Sequence, residues 1–227
     1  MDEIYTLYRT PETADLQGML GLLEHAATVH AERLGNGDKR MRENHNCVWM
    51  VARVWLRLLE PAVREEIEIR TWNRPVTRGM CQREFDLFFG DRLIAEAAQD
   101  WILVDLDTRR MKNMTEIPEL LQSPNRTEGK QMPIRRPAVP KDVAYLTTVQ
   151  VRPDDIDQNG HLNNTKYPGY ALSALPPAPV QELTLSYSRE CFAGDALEIW
   201  GKIEPNCARL EGRVAGELRF DMLAQFF

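Results

Sequence analysis

Between Val151 and Tyr167 the chain reads VRPDDIDQNGHLNNTKY. Asp157, Asn159 and His161 stand at alternate positions, with Asp154, Asp155, Asn163 and Asn164 around them. A carboxylate, an amide and an imidazole this close are the groups that acid–base chemistry uses near neutral pH. The carboxylate accepts a proton, the amide donates to an oxygen and the imidazole shuttles. A helix is expected from about Asn163 to Leu175, ended by Pro176-Pro177. Its first turn would offer N–H groups and a positive dipole end to a developing oxyanion. The plainer reading is a turn at Asn159-Gly160 and a cap at Asn163 or Asn164. Further on, Arg189-Glu190-Cys191 puts a carboxylate beside a thiol at a strand end. Glu190 joins the first group if its strand runs back alongside the loop; otherwise it is half of an edge ion pair next to a packed cysteine. Cys191 activated by His161 is the competing nucleophile, and it requires hydrogen-bond reach between the two.

The elements that must position these groups are legible from period and punctuation. Thr10-Pro11-Glu12 reads as a helix start. Leu16, Met19, Leu20, Leu23, Ala26, Ala27, His30 and Leu34 follow at three- and four-residue steps, and Gly35 stops them. Strands are expected at Cys47–Leu59, Glu66–Trp72, Arg83–Phe89 and Leu93–Val104, with a tight turn at Gly90-Asp91. Thr108 to Lys141 carries five prolines and a net charge of +5, and reads as a linker over the surface. The pattern then returns: strand Tyr145–Val151, the shorter helix, and strands Glu182–Glu190, Ala196–Ile203, Ala208–Ala215 and Leu218–Phe227. Strand-and-helix patterning that occurs twice predicts an α+β fold built from a duplicated unit, a double hot-dog. The expected division is 1–107 for the first unit, 108–142 for the linker and 143–227 for the unit that carries the chemistry.

Composition bounds the rest. The 227 residues are 43% hydrophobic and 27% charged, which suits folded domains rather than disorder. No run of 18 apolar residues occurs, and the acidic N-terminus lacks a signal peptide's apolar core, so a cytoplasmic protein without membrane insertion is expected. A net charge of −6 and five scattered tryptophans weigh against nucleic acid as the ligand. Cys47, Cys81, Cys191 and Cys207 show no Cys-x-x-Cys spacing, so free thiols are expected and no metal site or cofactor is called for.

The motif residues now carry a resemblance. Asp157, Asn159, His161, Asn163, Asn164 and Tyr167 form the pattern Asp-x-Asn-x-His-x-Asn-Asn-x-x-Tyr, and Tyr187, Arg189, Glu190 and Cys191 form Tyr-x-Arg-Glu-Cys. In both, and in their order, the chain resembles the acyl-acyl carrier protein thioesterases of plants and bacteria. The likeness is looser in the first half, at Leu22 to Ala27, Val48-Trp49, Thr71-Trp72, Arg83-Glu84-Phe85 and Trp101 to Arg110. It implies the double hot-dog fold, hydrolysis of fatty acyl thioesters on acyl carrier protein, and catalytic roles for Asp157, Asn159, His161 and Glu190. Glu190 or Asp157 would activate water, while His161 and Asn159 orient the water or the carbonyl.

The second helix and the C-terminus look short beside plant members. Met19, Leu23, Ala26 and Ala27 would line an acyl tunnel, or be ordinary core. His25 and His30 are not expected to be catalytic. Acyl carrier proteins are acidic, so the basic run from Thr108 to Lys141, with Lys39, Arg40 and Arg42, would steer docking, or merely keep a linker soluble. Some hot-dog hydratases carry Asp-x-Asn-Pro-x-His, with one more residue before the histidine and a proline where Gly160 stands. An acyl-coenzyme A thioesterase and a carrier-binding module without activity compete with the same reading, and the sequence is compatible with both a monomer and a homodimer.

Overall fold

A computed structural model describes residues 3–130, 133–138 and 140–227. The chain divides into two compact units: Met1–Ala52 with Leu59–Ile134, and Arg53–Leu58 with Arg135–Phe227.

In the first unit, strand β1 (Tyr5–Arg9) leads to helix α1 (Leu16–Arg33), helix α2 (Asp38–His45) and strand β2 (Cys47–Leu58). Strands β3 (Ile67–Asn73), β4 (Cys81–Phe89) and β5 (Arg92–Asp105) follow, then the one-turn helix α3 (Pro118–Leu121). The sheet order is β1-β3-β4-β5-β2, with antiparallel β1–β3, β3–β4 and β4–β5 ladders. Gly90 takes a left-handed φ of 59° between Phe89 and its partner Arg92, as a two-residue hairpin turn requires. Helix α1 starts later than the sequence suggested. The carboxylate of Asp15, rather than Thr10, caps it by accepting from Gly18 N at 2.9 Å. From there Met19, Leu20, Leu22, Leu23, Ala26, Ala27 and His30 bury one face, and the helix packs on β3. The strand β1 and the helix α2 carry little local signal in the sequence: β1 is short, and α2 is too polar to show an apolar stripe.

In the second unit, strand β6 (Ala144–Gln150) is followed by the polar loop, helix α4 (Tyr167–Leu172) and strands β7 (Val180–Tyr187), β8 (Ala196–Glu204), β9 (Cys207–Val214) and β10 (Glu217–Phe226). The sheet order is β7-β10-β9-β8-β6, antiparallel throughout, and Arg53 to Arg57 of β2 pair with β7. Leu183, Leu185, Leu197, Ile199, Leu210, Phe220 and Met222 are fully buried. Helix α4 contacts β9. Each unit therefore sets a helix beside an antiparallel sheet, as the repeated pattern predicts.

The expected linker is where sequence and structure part. Met114, Ile117 and Leu120 are buried in a cluster with Met41, Cys47, Cys81 and Leu103, so this stretch belongs to the first unit. The unit boundary falls after Ile134, within the segment 108–142 that was expected to stand apart. Prolines disguised the stretch: its three apolar anchors recur every three residues along a turn and a four-residue helix that Pro118 initiates. The basic run also loses part of its open charge, because Lys112 pairs with Asp105, Lys130 with Asp86 and Glu96, and Arg136 with Asp221.

Candidate active site

The loop after β6 is a small hairpin of its own. Ile156 and Leu162 form a single antiparallel bridge. Asp157 N–H donates to His161 O at 2.8 Å, and Gly160 N–H to Asp157 O at 3.0 Å. Gly160 has φ +83°, the left-handed position that closes such a turn and that glycine adopts without strain. The carboxylate of Asp157 folds into the same turn. Its Oδ1 accepts from the N–H groups of Asn159 at 2.7 Å and His161 at 3.3 Å, and Asn159 Nδ2 approaches Oδ2 at 3.4 Å. The turn reading and the chemical reading of these letters therefore coexist: Asp157 and Asn159 shape the loop that presents His161.

Glu190 lies 29 positions further along, beyond the end of β7. Two backbone bonds of Cys191 bring it back. Leu162 N–H donates to Cys191 O at 2.8 Å, and Cys191 N–H donates to the Tyr167 hydroxyl at 3.1 Å. Tyr187, at the end of β7, donates its hydroxyl to Asn164 O at 2.8 Å. The result sets His161 Nδ1 3.6 Å from Glu190 Oε1, both side chains about a quarter exposed. That is ion-pair range for a protonated imidazole and near hydrogen-bond range otherwise. Asn163 caps the short turn before α4, its Oδ1 accepting from Thr165 N at 2.8 Å.

All four sequence-nominated residues thus lie around one loop. They form two couples, Asp157 with Asn159 and His161 with Glu190. The Cys191 thiol is different. It is fully buried, and burial pushes its pKa up to about 11. The Tyr167 phenol beside it is also raised, chiefly by burial. Sequence reasoning gave no role to two further residues. Phe192 packs edge-on against the His161 ring, with centroids 5.3 Å apart; nothing in its position as a lone aromatic would have nominated it. Asp155 is 4% exposed, and burial alone would raise its pKa. Bonds from Tyr170, Arg152 and Lys166 outweigh that and hold it below the usual carboxylate range. Among the described residues no cluster has the makings of a metal site.

Two family models match the chain: the acyl-ACP thioesterase N-terminal domain over residues 6–121 and the acyl-ACP thioesterase C-terminal domain over residues 139–215. The chain belongs to the acyl-ACP thioesterase family. The loop and Glu190 both fall within the second match. A curated relative, the chloroplastic oleoyl-acyl carrier protein thioesterase of Coriandrum sativum, is 26% identical over 211 residues, covering 82% of this chain and 57% of that protein. The chain thus spans little more than half the length of that relative. The crystal structure of an acyl-ACP thioesterase from Bacteroides thetaiotaomicron superposes with a TM-score of 0.89 at 21% identity, covering 99% of this chain and 98% of the other. The 12:0-ACP thioesterase of Umbellularia californica gives 0.82 at 16% identity, covering 100% and 98%. These likenesses carry the fold. It is the α+β hot-dog arrangement of acyl-ACP thioesterases, as the repeated pattern and the motifs predicted.

Proposed function

We propose that this member of the acyl-ACP thioesterase family hydrolyses fatty acyl thioesters of acyl carrier protein to free fatty acid and carrier protein. The observation that carries the reading is the meeting of His161 with Glu190 over the Asp157–Asn159 turn, inside the stretch that matches the family's C-terminal domain. Asp157 accepts two backbone N–H groups of its own turn, which suits a residue that holds the loop. The base is then Glu190. Its carboxylate takes a proton from a water that His161 orients, and the water oxygen adds to the thioester carbonyl carbon. The oxyanion is met by the Asn159 amide. Collapse breaks the C–S bond, and the thiolate leaves with the proton held at the Glu190–His161 pair. Cys191 as nucleophile is disfavoured: with its pKa at about 11, only about one thiol in 10⁴ is ionised at pH 7.

The acyl tail is proposed to lie in the first unit, against the face of α1 that carries Met19, Leu23, Ala26 and Ala27. A cytoplasmic setting is part of the same reading. Four free cysteines suit a reducing compartment, and among the described residues no helix is long and apolar enough to cross a membrane.

The test is a panel of acyl thioesters of increasing chain length, on acyl carrier protein and on coenzyme A, with an enoyl thioester alongside. Thiol release that is faster from carrier protein than from coenzyme A is the expected result. Faster release from coenzyme A makes the chain an acyl-coenzyme A thioesterase. Hydration of the enoyl thioester without thiol release makes it a hydratase, and no turnover at all leaves a binding module.

A further inference from the structure

We infer that Asp155 is a positioning residue for the proposed hydrolysis: its buried carboxylate clamps the base of the hairpin that presents His161 to Glu190. The catalytic part of this inference rests on the reading above; the clamp itself is a matter of geometry. Three side chains converge on Asp155. The Tyr170 hydroxyl donates to Oδ2 at 2.7 Å, Arg152 Nε donates to Oδ2 at 3.0 Å, and Lys166 Nζ lies 3.3 Å from Oδ1. Two backbone bonds complete the knot: Asn163 N–H donates to Asp155 O at 2.9 Å, and Arg152 N–H donates to the Tyr170 hydroxyl at 2.9 Å.

The partners have a telling distribution. Arg152 precedes the hairpin, Asn163 and Lys166 follow it, and Tyr170 stands on α4. One carboxylate thus joins the entry, the exit and the neighbouring helix. Between these tied ends, Ile156 pairs with Leu162, and Leu162 donates to the carbonyl next to Glu190. Where the hairpin's arms begin fixes where its tip points, so the separation of His161 from Glu190 follows from the knot. Burying a carboxylate is unfavourable unless it is paired and hydrogen-bonded. Here two cations and a hydroxyl meet that need, at residues flanking the loop. Removing the charge leaves both cations without this anion and loosens the ends, which then keep only their backbone ties.

The test uses the full chain and the acyl-carrier-protein thioester it hydrolyses fastest, well below the melting temperature. Asp155→Asn keeps the size and an acceptor oxygen but removes the charge. Misplacing a reacting group by about 1 Å costs on the order of 10²-fold, so kcat is expected to fall about 10- to 100-fold with KM within about threefold. Tyr170→Phe loosens one tether and is expected to cost about three- to tenfold. The losses should be clearly less than additive in the double variant, because the hydroxyl acts in large part through the carboxylate and otherwise only through its bond from Arg152 N–H. A residue that only stabilises the fold would lower Tm and leave kcat untouched below it. An Asp155→Asn kcat within about twofold of the parent, or fully additive losses, overturns the inference. Should Asp155→Asn fail to fold, unchanged kcat in both Tyr170→Phe and Lys166→Met overturns it. Amide hydrogen exchange at Asp157 and Leu162 tests the clamp without turnover. Exchange should quicken in Asp155→Asn; unaltered exchange sinks the clamp even if the parent hydrolyses no thioester, whereas quickened exchange in an inactive parent sinks only the functional reading.

Discussion

The two units place a helix beside an antiparallel sheet, yet they use their residues in opposite ways. In the first, α1 is 18 residues long, starts soon after β1 and buries a continuous apolar face. In the second, α4 has six residues, and the chain before it is given over to a polar hairpin and its knot of charges. Their histidines make the contrast chemical. His30 is 3% exposed, with Nδ1 2.7 Å from the Arg83 guanidinium; burial, then the charges of Arg83 and Arg33, push its pKa down to about 3. It stays neutral at physiological pH and serves packing. His161 is partly exposed and faces a carboxylate instead. The residue type is the same in both places, and the partner and the solvent decide whether it can move a proton.

Breaking the second unit's pair should have the largest effect. His161→Ala and Glu190→Gln are each expected to fold, by circular dichroism, and to lose on the order of 10²- to 10⁴-fold in kcat. His30→Gln in the first unit should leave kcat within a few-fold. Near-parental turnover in either second-unit variant would remove that residue from the site.

A smaller effect is expected at the apolar face of α1. Ala26 is fully buried and Ala27 nearly so. If the tail lies there, Ala26→Val should shift hydrolysis toward shorter chains. Each methylene denied burial is worth about 0.8 kcal/mol, or roughly fourfold in relative kcat/KM. An unchanged chain-length profile would move the tail elsewhere.

His30 also ties stability to pH. Its folded pKa lies below the 6.5 of the free side chain. The unfolded chain therefore takes up a proton that the folded chain refuses, and stability falls as pH drops from about 6.5 toward 3. The slope from this one group reaches about 1.4 kcal/mol per pH unit. Urea midpoints at pH 7 and pH 5 should separate more for the parent than for His30→Gln; equal separations would mean that His30 is not held neutral.

The smallest effect belongs to the cap. Asp15→Ala should cost about 1 kcal/mol of stability and leave kcat unchanged. A loss of activity without a loss of stability would contradict a purely structural role for Asp15.

Much of the site was legible because chemistry was concentrated in a few letters. Asp157, Asn159 and His161 lie close enough in sequence that any compact loop groups them, and the turn signal Asn159-Gly160 guaranteed a compact loop. The duplicated pattern was legible because apolar periodicity is local. What stayed hidden depended on distant partners. Met114, Ile117 and Leu120 looked like linker residues because their burial requires Met41, Cys47 and Cys81, far away in the chain. The start of α1 differs from the one that Thr10-Pro11 signals because Pro11 and the carboxylate of Asp15 are both helix-entry residues, and only the bond to Gly18 N chooses between them.

By itself, then, the sequence determined the α+β class, the repeat and the loop that bears the ionisable groups, since these follow from periodicity and turn chemistry acting over a few residues. Tertiary structure alone decided three things: that Glu190 returns to His161, that Cys191 is a buried thiol rather than an exposed one, and that Asp155 is a buried clamp rather than one more acid in a polar loop. Each depends on burial and on backbone bonds between segments far apart in sequence. Those are collective properties of the folded chain that no window of local sequence contains.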